Sequence, residues 1–132
     1  MTNKIILDAS CVIALINKEK GHEIVEKHLE KAIISTVNFA EVITVVNREL
    51  FKTETEREEG LNLISETLPE VIDFNYEQAI ICAGLDSITK KYGLSLGDRA
   101  CLALAKYKNL PVLTADKSWE KLKLGVKIKL IR

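Results

Sequence analysis

The sequence predicts an α/β fold, a three-layer α/β/α sandwich around a mainly parallel central sheet. Three observations point there. Short, continuous apolar runs such as Ile5-Ile6-Leu7 and Pro111-Val112-Leu113-Thr114 suit strands buried on both faces. Longer segments with apolar residues at helical spacing lie between them. Alternation of the two kinds implies right-handed crossovers, with helices on both faces of the sheet. The 132 residues form one domain, 1–132, without repeats, low-complexity segments or an interdomain linker.

Each element follows in order. Ile5 to Leu7 is the first strand. Ser10 opens a helix to Ile16, too close behind the strand for a hairpin. Residues 18–21 are a polar break, and His22 to Ala32 is an amphipathic helix. Ile33-Ile34-Ser35 is the second strand, after which Thr36 N-caps a helix over Val37 to Leu50. A helix over Thr55 to Leu68 turns Leu61, Leu63, Ile64 and Leu68 inward, and Pro69 stops it. Val71 to Phe74 is a third, weaker strand. Tyr76 to Tyr92 is a helix with Ala79, Ile80, Ala83, Leu85 and Ile88 at core spacing, ended by Gly93. Ser95 to Tyr107 is the next helix, Pro111 to Thr114 a strand, and Lys117 to Lys123 a short helix or turn. Val126 to Leu130 closes the sheet with alternating lysines.

Composition narrows the class. No apolar stretch approaches membrane-spanning length, and no leader-like run precedes the first strand, so neither a membrane nor a secretory signal is expected. Cys11, Cys82 and Cys101 are odd in number, widely spaced and set in helical apolar patterns. That argues against a disulfide framework and a zinc site, and suits small core residues in a reducing cytoplasm. The net charge is zero but uneven. Residues 1–85 carry eight basic and fifteen acidic residues, while residues 86–132 carry eleven basic and four acidic. A basic flank of this kind can hold a polyanion beside an acidic pocket; a solvated surface is the plainer reading.

Four acids sit in awkward places. Asp8 ends the first strand and Asp116 follows the run ending at Thr114. Glu41 lies in the apolar stretch Val37-Asn38-Phe39-Ala40-Glu41-Val42-Ile43, and Asp98 opens an apolar helix. A carboxylate beside a buried surface is costly unless paired or bound to metal. In an open parallel sheet, ligands gather outside the carboxyl ends of the strands, and the helices that follow strands begin on that rim. All four acids are therefore expected at one edge. Four close carboxylates need compensation, and an all-oxygen set suits Mg²⁺ or Mn²⁺. Such a centre hydrolyses phosphodiesters by acidifying water and neutralising charge on the phosphate. Ser10 and Thr114, each two residues from an acid, are placed to orient a carboxylate, and Asn38 shares a helix face with Glu41.

Each acid also has an ordinary role open to it. Ser95-Leu96-Gly97-Asp98 fits a capping box, Asp8 fits a helix N-cap, and Asp116 fits a turn. Glu41 has less polar face to share. The joint occurrence, rather than any one residue, points to a site.

The sequence resembles the PIN-domain nucleases, and within them the VapC-type toxins of prokaryotic toxin–antitoxin pairs. The resemblance runs nearly end to end. It rests on Ile5-Ile6-Leu7-Asp8-Ala9-Ser10, on Ser35-Thr36-Val37-Asn38-Phe39-Ala40-Glu41-Val42, on the block from Leu94 to Ala105, and on Leu113-Thr114-Ala115-Asp116-Lys117-Ser118-Trp119. It implies a metal-dependent endoribonuclease with a PIN-like sandwich, and an acidic quartet at Asp8, Glu41, Asp98 and Asp116 with hydroxyls at Ser10 and Thr114. It also implies a homodimer, a cognate antitoxin protein, and structured RNA such as tRNA or rRNA as substrate.

Other residues are expected at the margins. Trp119 is placed to stack an RNA base, against the plainer expectation of packing, and Lys117, Lys121 and Lys123 to meet phosphates, against the plainer expectation of a solvated face. Two other functions compete. An aspartate-based phosphatase would use Asp8 as nucleophile, but the D-x-D pattern has Ser10 at its second position; Mg²⁺-dependent release from an aryl phosphate, lost in Asp8→Asn, would favour it. A non-catalytic module that binds RNA or protein would leave the acids idle, and divalent metal would then not raise its melting temperature.

Overall fold

The computed structural model describes residues 3–68 and 70–132. Five strands form one all-parallel sheet: β1 (Ile5–Leu7), β2 (Ala32–Ser35), β3 (Glu70–Ile72), β4 (Val112–Thr114) and β5 (Ile128–Leu130). Their order is β3-β2-β1-β4-β5. Ile6 pairs with Ile33 on one side and Val112 on the other, so β1 is the central strand. The chain builds outward from β1 to β2 and β3, then returns to place β4 on the other side of β1. Strand order thus reverses between β1 and β4, and the crevice beyond their carboxyl ends is where a parallel sheet of this kind receives a ligand.

Successive residues on each inner strand serve opposite faces, as the two-residue period requires. Ile5, Leu7, Ile34 and Leu113 join one core with α1 (Ala9–Asn17), α2 (His22–His28), α3 (Thr36–Glu49) and α4 (Glu54–Thr67). Ile6, Ile33 and Val112 join the other with Cys101, Leu102, Leu104 and Ala105 of α7 (Leu96–Lys108) and Leu85. Leu85 lies between α5 (Tyr76–Gly84) and α6 (Asp86–Thr89). The two cores are the physical content of the three-layer expectation, which holds. Among the described residues no helix is long and apolar enough to cross a membrane.

Several local expectations shift. Helix α1 begins at Ala9, not Ser10, with Asp8 in the N-cap position but its carboxylate making no cap hydrogen bond. Helix α2 ends at His28 and passes through a 3₁₀ turn at Leu29–Lys31, because Ala32 is drawn into β2. Ser35, not Thr36, caps α3 by accepting from Val37 N–H; the Thr36 hydroxyl instead accepts from Phe74 N–H. Thr53 and Glu56 form a capping box at the start of α4. On α4 Gly60 and Ile64, with Leu68 just beyond, are buried, whereas Leu61 and Leu63 face outward. Pro69, expected to stop this helix, lies outside the described residues.

The third strand is Glu70–Ile72, not Val71 to Phe74. The long helix expected from Tyr76 to Tyr92 breaks at Leu85 into α5, α6 and a 3₁₀ turn, Lys90–Tyr92. Gln78, Cys82, Leu85 and Thr89 are its buried positions, while Ile80, Ala83 and Ile88 are exposed. Gly93 does end it, with a positive φ of 71° suited to glycine. The three cysteines are buried and free.

Candidate functional site

Asp8 is the first residue after β1, and Thr114 is the last of β4, so both stand at the strand-order reversal. Asp8 is buried and accepts two hydrogen bonds on one oxygen. Ser10 Oγ donates to Asp8 Oδ2 at 2.6 Å and Thr114 Oγ1 donates to it at 2.9 Å. Each hydroxyl is itself held. Ser10 Oγ accepts from Ala115 N–H at 3.1 Å, and Thr114 Oγ1 accepts from Asp116 N–H at 3.1 Å. Both hydroxyls donate to Asp8, so Thr114 reaches across to the acid after β1 rather than donating to its neighbour Asp116.

Glu41 and Asn38 lie one turn apart on α3. Asn38 is fully buried; its Nδ2 donates to Glu41 Oε1 at 2.7 Å and to the Gly97 carbonyl at 2.9 Å. One side chain thus fixes the Glu41 carboxylate and ties α3 to the first turn of α7. Asn38 Oδ1 is buried without a hydrogen-bond partner. Asp98 sits in that first turn. Its Oδ2 accepts from Ser95 N–H at 2.9 Å while its own N–H donates to Ser95 Oγ at 3.1 Å, so the expected capping box is formed.

Electrostatics link these groups. Burial raises the Asp8 carboxyl from its ordinary 3.8 to about 6, against the hydrogen bonds from Ser10 and Thr114, and the charges of Asp98 and Glu41 push it further up. The Cys101 thiol, buried behind the site, is raised by burial first and also by Asp8, Asp98 and Glu41. Three of the four acids therefore share one field. Asp116 is more peripheral: it is exposed, and its Oδ1 accepts from Ser118 N–H at 2.9 Å and Ser118 Oγ at 2.7 Å. Its link to the others runs through its backbone and Thr114.

Among the described residues, no three His, Cys, Asp or Glu side chains form a ready-made metal cage. The donor set nonetheless fits an oxygen-preferring cation. Each acid has one oxygen engaged internally: Asp8 Oδ2, Glu41 Oε1, Asp98 Oδ2 and Asp116 Oδ1. The second oxygen of each accepts no hydrogen bond from the described residues. A carboxyl held protonated toward neutral pH by burial and like charge is also one that a nearby cation would stabilise in its ionised form.

Gly97 and Ser118 were not anticipated. A Cβ built on Gly97 would stand 2.5 Å from Glu41 Oε2, so any side chain here would displace that carboxylate. Its signal was a poor helix former inside the first turn of an apolar helix. Trp119 needs correction. It is fully buried in the α7-side core, so no RNA base can stack on it. Lys117 and Lys121 are exposed, as a phosphate contact requires.

The sequence pattern of one family, the PIN domain, matches residues 5–124. No curated protein matches the sequence. Solved structures share the fold. The DNA-bound VapBC of Salmonella typhimurium aligns with a TM-score of 0.75 at 22% identity, over 100% of both chains. A toxin–antitoxin complex from Klebsiella pneumoniae aligns at 0.71 and 20% identity, over 93% of this chain and 95% of that one. FitAcB from Neisseria gonorrhoeae aligns at 0.70 and 23% identity, over 94% and 95%.

Proposed function

The chain belongs to the PIN domain family, and from that premise we propose that it is a divalent-metal-dependent endoribonuclease, the toxin of a toxin–antitoxin pair. The observation that carries the reading is the buried Asp8 at the strand-order reversal. Two hydroxyls hold it, and it lies in the field of Glu41 and Asp98. A structural role gives no reason to gather these groups there, since an uncompensated buried carboxylate destabilises the fold.

Asp8, Glu41, Asp98 and Asp116 would hold Mg²⁺ or Mn²⁺. When bound, such an ion supplies charge neutralisation at the phosphate and an acidified attacking water. The chain's own residues prepare the site. Ser10 and Thr114 fix one Asp8 oxygen and leave the other turned free. Asn38 does the same for Glu41, and Ser95 for Asp98. Pre-set donors of this kind reduce the reorganisation that binding and reaction require. The α7 N-terminus adds a favourable dipole for the negative charge on Asp98.

The antitoxin has a place to dock. Val12, Leu15, Ile16, Leu63, Ile64, Thr67 and Leu68 line an apolar groove of about 190 Å³ between α1 and α4, and Leu63 is 65% exposed. Amphipathic helices use grooves of this kind. The structural neighbour from Klebsiella pneumoniae, named as a toxin–antitoxin complex, supports such a partner. A homodimer, with exposed Tyr76 and Ile80 of α5 available for contact, belongs to the same reading.

The test is direct. Purified protein should cut RNA internally in Mg²⁺ or Mn²⁺ and stop in EDTA. Asp8→Ala and Asp98→Ala should abolish cutting while circular dichroism stays native. Cleavage that persists in either folded variant would sink the mechanism.

A further inference from the structure

Among the described residues, lysines line two cavities whose surroundings differ. The larger, about 560 Å³, is lined by Lys4, Ile33, Glu70, Tyr107, Lys108 and Leu110. It lies at the amino ends of the strands, away from the acids, and Lys4 is paired with Glu70. The second, about 430 Å³, is lined by Ser87, Ile88, Lys91, Tyr92, Lys121 and Lys123. None of its three lysines forms an ion pair among the described residues. The nearby acid Asp86 is engaged by Arg99 at 3.8 Å, and Glu120 does not line the cleft.

This second cleft is built from the segment that precedes the Ser95–Asp98 capping box and from the turn that Asp116 opens. Lys91 is in the 3₁₀ turn that leads through Gly93 into the Ser95–Asp98 capping box. Lys121 closes the 3₁₀ turn that Asp116 opens, and Lys123 follows it. Tyr92, Trp119, Leu122 and Leu124 pack in one apolar cluster beneath, so the two segments are held together and the lysines share one side of them. Buried Trp119 is the anchor of this arrangement.

We propose that the Lys91–Lys121–Lys123 cleft is a holding surface for the phosphodiester backbone of RNA beside the acid rim. Three unneutralised ammonium groups around a concave, polar-edged cleft match successive phosphates and carry no base specificity. The repulsion that four carboxylates exert on a polyanion makes such an adjacent surface useful, because affinity must come from somewhere other than the acids. The proposal rests on the ribonuclease reading, so its test separates the two.

Binding of a fluorescent single-stranded RNA is measured by anisotropy with the full chain carrying Asp8→Asn, from about 50 to 200 mM salt. Adding Lys91→Ala, Lys121→Ala and Lys123→Ala should weaken binding about tenfold or more. It should also lower the slope of log K against log salt by about 2, given ~0.7 per phosphate contact on a single strand. A control chain with Lys27→Ala, Lys31→Ala and Lys52→Ala should bind nearly as the parent does. An unchanged affinity and slope in the cleft variant, or an equal loss in the control, would overturn the proposal. Cleavage is assayed in parallel with Asp8 intact. An active enzyme whose RNA binding ignores the cleft removes the cleft and keeps the nuclease. RNA binding that depends on the cleft, without any cleavage, keeps the surface and removes the nuclease.

Discussion

Thr114 and Asp8 are 106 residues apart in sequence, yet the Thr114 hydroxyl donates to Asp8 Oδ2 at 2.9 Å. The bond joins the last residue of β4 to the carboxylate that follows β1, across the point where strand order reverses. The same hydroxyl accepts from Asp116 N–H, so one side chain positions two acids.

Thr114→Val keeps the shape and removes the hydroxyl. Asp8 then loses a hydrogen bond that favours its ionised form, and its carboxyl rises above its present value of about 6. The acid limb of the pH–rate profile for RNA cleavage is expected to move to higher pH. Stability near pH 8 should fall by about 1–2 kcal/mol. An acid limb that stays in place would show that Thr114 does not tune Asp8.

Asp8 also sets a pH dependence of folding in metal-free buffer. Its carboxyl is raised on folding from 3.8 to about 6, so between those values the folded state binds more protons than the unfolded chain. The stabilisation from this group is therefore full below about pH 4, declines across pH 4–6 and is absent above. The difference is about 3 kcal/mol. Asp8→Asn should accordingly raise the melting temperature at pH 8 and change it little at pH 4. Equal shifts at the two pH values would contradict the burial argument.

Gly97→Ala separates activity from stability. The added Cβ meets the end of the Glu41 side chain, which can move, rather than backbone. The fold should lose about 1 kcal/mol, while the displaced carboxylate and its Asn38 bond lower cleavage by tenfold or more. Thermal melts and initial rates on the same preparation decide it; unaltered rates would remove Glu41 from the site.

Asp98 has two roles that mutation can divide. Ser95→Ala deletes the cap that Asp98 N–H uses and should cost about 1 kcal/mol with most activity retained. Asp98→Asn keeps an oxygen able to cap but loses the charge, and should abolish cleavage with a smaller change in melting temperature. If Ser95→Ala were as inactive as Asp98→Asn, the cap would itself be required for the chemistry.

The sequence alone determined the layering and the two central strands, and it singled out four acids as candidates. Parallel strands buried on both faces must be continuous apolar runs, so Ile5-Ile6-Leu7 and Val112-Leu113 stand out, and an acid at such a run's end has nowhere to hide. The capping box at Ser95 was equally legible, because caps are local. Tertiary structure decided what depends on neighbours. Helical spacing marks an apolar face but not what covers it, so Leu61 and Leu63 face out while Gln78 and Thr89 are buried. Trp119 lies next to a basic stretch in sequence and inside a core in space. The Gly97–Glu41 approach joins α3 to α7, as does the Asn38 bridge to Gly97 across 59 residues, a distance local pattern cannot span. The sequence placed four acids near one rim; packing chose which three share a field and which oxygens are left free.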